Sequence, residues 1–420
     1  MREDETGPNE GPDGEAMATF AASKDESILT EISAVPVGRF RIESVDILRG
    51  AVMVLMALDH TRDFLGVTSV SPTDMTRTTA ALFFTRWITH FCAPVFFLLT
   101  GTGAYLSLRR KSKRELSRFL FTRGLWLIFL ELTLFRCLGF QFNFDYHVTI
   151  LNVLWALGWA MIVLSVLVHL PLPVTTALGL IMIAGHNLLD SIQSSNPVWS
   201  ILHSPNFILK NPQHSVLIAY PLIPWVGVTA VGYSIGRIYA WTWQRRRTFL
   251  LRAGLGFTAA FVILRSINVY GDPAPWTIQK SALFTALSFL NTNKYPPSLL
   301  FLLMTLGPLL VLLWAIEGRT PKLLHPVLVF GKVPMFYFLL HIPLIHLIAV
   351  VVCHARYGHV HWMFESPSVT QFPITCPPGW GFSLPIVYVF WVSLVIALYP
   401  LCHWFAAVKQ RRSDAWLSYF

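Results

Sequence analysis

Runs of about twenty mostly apolar residues recur along nearly the whole chain, and no other feature constrains its fold as strongly. Such a run is long enough to cross ~30 Å of hydrocarbon as a helix. They lie near 44–66, 81–106, 116–140, 148–170, 172–190, 215–240, 248–268, 296–317, 326–352 and 383–408. Only 13% of the 420 residues are charged, against 54% hydrophobic, where a soluble domain carries about a quarter charged residues. The expectation is an all-α, polytopic membrane helix bundle of about ten transmembrane helices, multi-pass in the plasma (inner) membrane.

Formal net charge is +10, and its placement follows the apolar runs. If the N-terminus is inside, inward loops hold Arg109, Arg110, Lys111, Lys113, Arg114 and Arg118, then Arg237, Arg245, Arg246, Arg247 and Arg252. Arg319, Lys322, Lys409, Arg411 and Arg412 complete that side, against Arg77, Lys210, Lys280, Lys294 and Arg356 outside. This alternation predicts cytoplasmic placement of both termini. It also explains the basic balance without nucleic acid as a partner. Residues 1–40 hold nine acids and three bases and no basic start leading into an apolar core. They read as a disordered acidic cytoplasmic tail rather than a signal peptide. Residues 41–408 form the transmembrane domain in this reading, and 409–420 a short basic cytoplasmic tail.

The five cysteines lack CxxC spacing. Cys353 and Cys376 share the last outward loop and either pair in an oxidising compartment or remain two separate thiols. His341 and His346 stand ~140° apart on their helix, not as an i,i+4 metal pair, so no metal is expected. His186, Asn187 and Asp190 read as solvated helix-end polars.

Chemistry concentrates in RIESVDILRGAVMVLMALDHTRDFLG at 41–66. On one helix, Asp46, Arg49, Met53, Met56, His60 and Asp63 share a stripe, with Arg49 and His60 within ~20° of one another and ~16 Å apart along the axis. A cation low on the helix and an imidazole higher up suit a long ligand lying between them. Ionisable residues inside a membrane are rare and usually face a cavity. His60, Asp59, Asp63, Arg86, His90, Arg265 and Lys294 fall in the outer half or at the outer mouth; Arg49, Asp46 and Arg123 fall toward the cytoplasm. Two polar zones joined by one stripe suggest a passage open to both sides. Glu131 sits near the middle of its run and needs a partner, with Arg136, Arg86, Arg123 or an imidazole all open. The short apolar piece SALFTALSFL reads as an interfacial or re-entrant helix, followed by Asn291, Lys294 and Tyr295 at the mouth of the next span.

Arg49-x10-His60 resembles the R-x10-H signature of membrane acyltransferase-3 enzymes. More extensively, the chain resembles bacterial relatives of the heparan-α-glucosaminide N-acetyltransferase catalytic family. The residues that carry this are SVDILRG at 44–50, Asp59–His60, TRWITHFCAPVFFLLTG at 85–101, FTRGLWLIFLEL at 121–132 and WALGWAMI at 155–162. YPLIPWVGV at 220–228, NTNKYPPSLLFLLMTLGP at 291–308 and GKVPMFYFLLHIPLIH at 331–346 extend it across roughly 41–420. The resemblance implies an acyltransferase that takes acetyl-CoA, or another acyl-CoA, from the cytoplasm. The acyl group would pass to an amine or hydroxyl of a sugar or cell-envelope glycan on the outer side.

On that reading His60, oriented by Asp59 or Asp63, is the general base, and Arg86, His90 or Lys294 stabilises the oxyanion. Arg49, with Asp46 and Arg123 at the same end, holds the acyl-CoA. Lys294, Asn291, Tyr295, Arg265, His341 and Glu131 are expected to contact the acceptor. The implied partners are the lipid bilayer, acyl-CoA and a glycan or amino-sugar acceptor; a homodimer is compatible with this. The competing reading is a transporter or flippase that moves a polar solute or glycolipid without chemistry.

Overall fold

Most of the apolar runs become helices in the computed structural model, which describes residues 42–420 apart from 212, 319–320, 368–372, 413, 415 and 418–420. The expected disordered tail at 1–40 and the cytoplasmic placement of the two termini lie outside the described residues. Glu43–Phe420 forms one compact unit.

The expected ten membrane spans are corrected to six. Among the described residues, Ala80–Ser107, Leu172–Leu189, Trp243–Ile267, Leu299–Ile316, Pro334–Tyr357 and Leu384–Arg411 are long and apolar enough to cross a membrane. The other four runs fail for identifiable reasons. Helix α1 (Glu43–Leu65) is long enough but carries Glu43, Asp46, Arg49, Asp59, Arg62 and Asp63. After α2 (Ala80–Thr89) and α3 (Cys92–Ser107), α4 (Lys113–Leu130) spends five of its residues on charge. It starts on a capping box in which Ser112 accepts from the Glu115 amide and Glu115 accepts from that of Ser112. It then passes into a π-helical segment, Glu131–Phe140. Helix α5 (Val153–Leu167) is only 15 residues long.

Helix α6 (Leu172–Gly185) and the short α7 (Pro197–Leu202) follow. The run at 215–240 is spent partly on a strand, and its helix α8 (Leu222–Ile235) has 14 residues. That strand belongs to a small three-stranded sheet with no counterpart in the sequence reading: β1 (Val148–Leu151), β2 (Asn206–Lys210) and β3 (Ser215–Ile218). Central β3 pairs parallel with β1 and antiparallel with β2.

Helix α9 (Trp243–Ile267) leads to a loop and to α10 (Ala282–Leu290), the short helix expected from SALFTALSFL, and then to α11 (Leu299–Ile316). The run at 326–352 is broken into α12 (His325–Lys332) and α13 (Pro334–Tyr357), with Pro334 opening the second. Helix α14 (Leu384–Arg411) carries Lys409 and Arg411 in its last turn.

Helix α1 sits in the centre, packed against α3, α12, α13 and α14. Its contact with α12 is backbone on backbone: a Cβ on Gly331 would lie 1.8 Å from the Asp46 carbonyl oxygen. Only glycine permits that approach. At its base Ser44 donates to Glu317, which also accepts from Arg246 at 2.5 Å, joining α1 to α9 and the end of α11. Its other end is held by residues from the far end of the chain. Trp380 donates to the Phe64 carbonyl at 3.0 Å, the Phe382 amide to Leu65 at 2.8 Å, and Trp391 to Val54 at 2.8 Å. Among the described residues no disulfide forms, and Cys353 is buried.

Candidate active site

The last turns of α1, ALDHTRDFL, place two carboxylates and an arginine beside His60. Arg62 reaches back to Asp59 at 2.9 Å and also pairs with Asp63, while Arg86 of α2 closes on the other Asp59 oxygen. Asp59 is 8% exposed and Arg62 9%. Burying these charges is tolerable because each carboxylate is matched by a guanidinium. Both acids expected to orient His60 are therefore occupied by arginines.

The partner of His60 is His341 of α13. Nδ1 of His60 lies 2.8 Å from Nε2 of His341, and the rings stack with centroids 5.0 Å apart. Nδ1 of His341 faces the carbonyl oxygens of Phe338 at 2.8 Å and Tyr337 at 3.2 Å. These contacts assign the protons. A carbonyl oxygen can only accept, so Nδ1 of His341 carries hydrogen and its Nε2 is the acceptor. Nδ1 of His60 then donates, which leaves the lone pair of a neutral His60 on Nε2. His341, expected to bind substrate, instead holds the tautomer of His60; it is fully buried and behind the cavity wall.

A cavity of about 660 Å³ opens in front of this pair. Of the expected site residues, Asp59, His60, Asp63, Arg86, His90 and Glu131 line it from the helices, and Asn291, Lys294 and Tyr295 from the loop before α11. Sheet residues Ile150, Leu217 and Ile218 and the aromatic Phe135, Phe140 and Phe338 supply apolar wall. His90 is 3% exposed with Nδ1 unbonded, its ring 5.4 Å from that of Phe301. Lys294 is 9% exposed, and its ammonium stands 5.2 Å from the Tyr295 ring. Among the described residues no carboxylate lies within ion-pair distance of it. Burial pushes the Tyr295 phenol up, but Lys294 and Arg86 outweigh it and hold the group below its usual value.

Glu131 takes no ionic partner among the described residues: it accepts from the amides of Leu154 at 2.9 Å and Trp155 at 3.3 Å, capping α5. Other expected residues have different positions. Arg136 is committed to Asp145 at 2.8 Å. Arg265 lies outside the cavity lining and is a loop clamp, donating to the carbonyls of Phe289, Ala274, Ser288 and Asn291 at 2.8–3.1 Å. Asn291 donates to Thr73, tying the loop after α1 to the loop before α11.

Arg49, Asp46 and Arg123 are also outside the lining; the lowest α1 residue that reaches the cavity is Met56. Below it Val52 and Met53 are 2% and 4% exposed, and Arg49 is held by Asp46 at 2.7 Å. The expected open passage from Arg49 to His60 is thus filled with side chains in this structure. Among the wall residues that sequence reasoning did not single out are Arg62, although it lies inside the DHTRD cluster, and Tyr220, 6% exposed here.

Residues 41–270 match the family described as heparan-alpha-glucosaminide N-acetyltransferase, catalytic. No curated protein matches the chain. The matched stretch runs from α1 to just past α9; Lys294 and His341 lie beyond it.

Proposed function

From the chain's membership of the heparan-alpha-glucosaminide N-acetyltransferase catalytic family, to which it belongs, we propose that it is a multi-pass membrane acyltransferase using acyl-CoA, with His60 as general base. The acceptor is an amine or hydroxyl of a sugar or cell-envelope glycan. The observation that carries this reading is the His60–His341 pair, which presents an unprotonated Nε2 at a cavity large enough for a sugar ring and a thioester.

Nε2 of His60 takes the proton of the acceptor N–H or O–H as its nitrogen or oxygen attacks the thioester carbonyl carbon. Lys294 is the charged group free to face the resulting oxyanion, since Arg86 and Arg62 are committed to carboxylates. Collapse of the intermediate breaks the C–S bond, and the departing CoA thiolate recovers the proton from the His60 imidazolium. A positioned base of this kind contributes roughly 10²–10⁴-fold. The nucleotide end of CoA would lie toward Arg49 and Arg123, with the pantetheine arm extending about 16 Å along α1. This requires the side chains around Met53 to part. Placement in the inner membrane, with the acceptor reached from the outer side, belongs to the same proposal.

The test is release of free CoA from purified protein given acetyl-CoA and a panel of amino sugars and glycan precursors. Acceptor-dependent release that falls at least ~10²-fold in His60→Ala supports the assignment. Release at the wild-type rate by that variant overturns His60 as base. Accumulation of unmodified solute in vesicles without CoA release would point to a carrier instead.

A further inference from the structure

A second cluster of ligating side chains lies away from the cavity lining. As solvated helix-end polars, His186, Asn187 and Asp190 would be open to water; instead His186 is 1% and Asn187 8% exposed. They occupy the helical turn His186–Leu189 that continues α6 and the residue after it, and His203, just past α7, folds back onto them. We propose that His186, Asp190 and His203 bind a divalent transition-metal ion of the zinc type, which fixes the segment leading from α6 to β2.

One ligand atom from each of the three lies within 4.8 Å of the other two. Around a tetrahedral ion with bonds of ~2.0–2.1 Å, ligand atoms stand about 3.3 Å apart. Nε2 of His203 and Oδ1 of Asp190 are already 3.4 Å apart. The second observation is His186 itself: among the described residues neither ring nitrogen has a hydrogen-bond partner of normal geometry, although the backbone of Pro297 interacts with the ring. A buried polar group left unmatched is unfavourable, and an ion bound to one of these nitrogens would remove that penalty.

The surroundings suit a metal. Asn187 donates to Oδ2 of Asp190 at 2.8 Å and leaves Oδ1 turned toward His203. Such outer hydrogen bonds orient first ligands. Trp199 stacks on the His203 ring with centroids 5.0 Å apart, fixing its plane. Asp190 keeps 21% of its side chain exposed, which gives an ion a route in.

A purely structural role explains less. Nε2 of His203 lies 2.8 Å from the His186 carbonyl oxygen, so without metal it donates there. That contact requires neither Asp190 nor either nitrogen of the His186 ring. Metal binding moves the hydrogen to Nδ1, where Ser204 Oγ lies 3.3 Å away. The position also gives the ion a consequence: Pro205, two residues past His203, lines the cavity, and Asn187 accepts from the first amide of α11 at 2.9 Å.

The probe is Co²⁺, titrated into purified full-length protein in detergent after chelation and dialysis. One equivalent should produce visible absorption of low-coordinate cobalt, which Zn²⁺ then bleaches. His186→Gln should abolish the signal, Asp190→Asn should weaken binding roughly 100-fold, and His361→Ala should leave it intact. Gel filtration of each variant, with His186→Ala as a second test at that position, separates lost binding from lost folding. No absorption at one equivalent, retention of binding in folded His186→Gln, or its loss in His361→Ala overturns the proposal and means an adventitious ion only.

Discussion

Replacing His341 tests whether His60 works alone. The 2.8 Å contact between them is the only hydrogen bond that sets the His60 ring among the described residues. In His341→Ala, Nδ1–H of His60 loses its acceptor, and the opposite tautomer, with the lone pair turned away from the cavity, becomes accessible. Loss of one buried hydrogen bond costs about 1–3 kcal/mol, and at ~1.4 kcal/mol per tenfold the rate should fall roughly 5- to 150-fold. The loss belongs in kcat, with KM nearly unchanged, because His341 lies behind the wall and touches no substrate.

His341→Gln keeps an amide oxygen that can accept from Nδ1 and should recover most of the rate. The decisive measurement is the double variant, assayed by CoA release. If His341 acts only through His60, then His60→Ala with His341→Ala is no slower than His60→Ala alone. Multiplicative losses, or a His341→Ala rate within twofold of wild type in protein that still melts cooperatively, would refute the coupling.

Two further expectations concern the frame around the pair. Arg86→Met leaves buried Asp59 with Arg62 as its one ion-pair partner among the described residues, and should lower stability by up to about 3 kcal/mol in a thermal melt; adding Asp59→Asn should restore part of it. Gly331→Ala puts a methyl group 1.8 Å from the Asp46 carbonyl oxygen and should sharply reduce the yield of monodisperse protein. Gly103→Ala, which meets nothing within 4 Å, should be tolerated and serves as the control.

Much of the site was legible because ionisable residues stand out in apolar runs. Asp59, His60, Arg86, His90 and Glu131 stand out on that ground, and they line one cavity together with Lys294 from the loop before α11. Partners were harder. His60 and His341 are 281 residues apart, and no periodicity reports a contact of that range. Spacing on α1 put Arg49 and His60 on one stripe, but periodicity gives direction and says nothing about whether Met53 fills the gap. The span count failed where apolar content was counted without the geometry that interrupts it. Pro221 and strand β3 shorten α8, and the π-helical turn after Leu130 leaves no mark in the hydrophobic pattern. His186 illustrates the opposite error, since a polar residue at a helix end reads as solvated until a distant segment covers it.

The neighbours that clasp α1 impose an order of events during synthesis. Its base meets Gly331, and its upper turns await Trp380, Phe382 and Trp391, all more than 260 residues downstream. Helix α1 is made before the partners that hold it, and is therefore among the last described helices to reach its final seat. Until then its buried charges depend on the early partner Arg86, and a chain released before Trp380 would hold the end of α1 through Arg86 and His341 but without the clasp that Trp380, Phe382 and Trp391 supply.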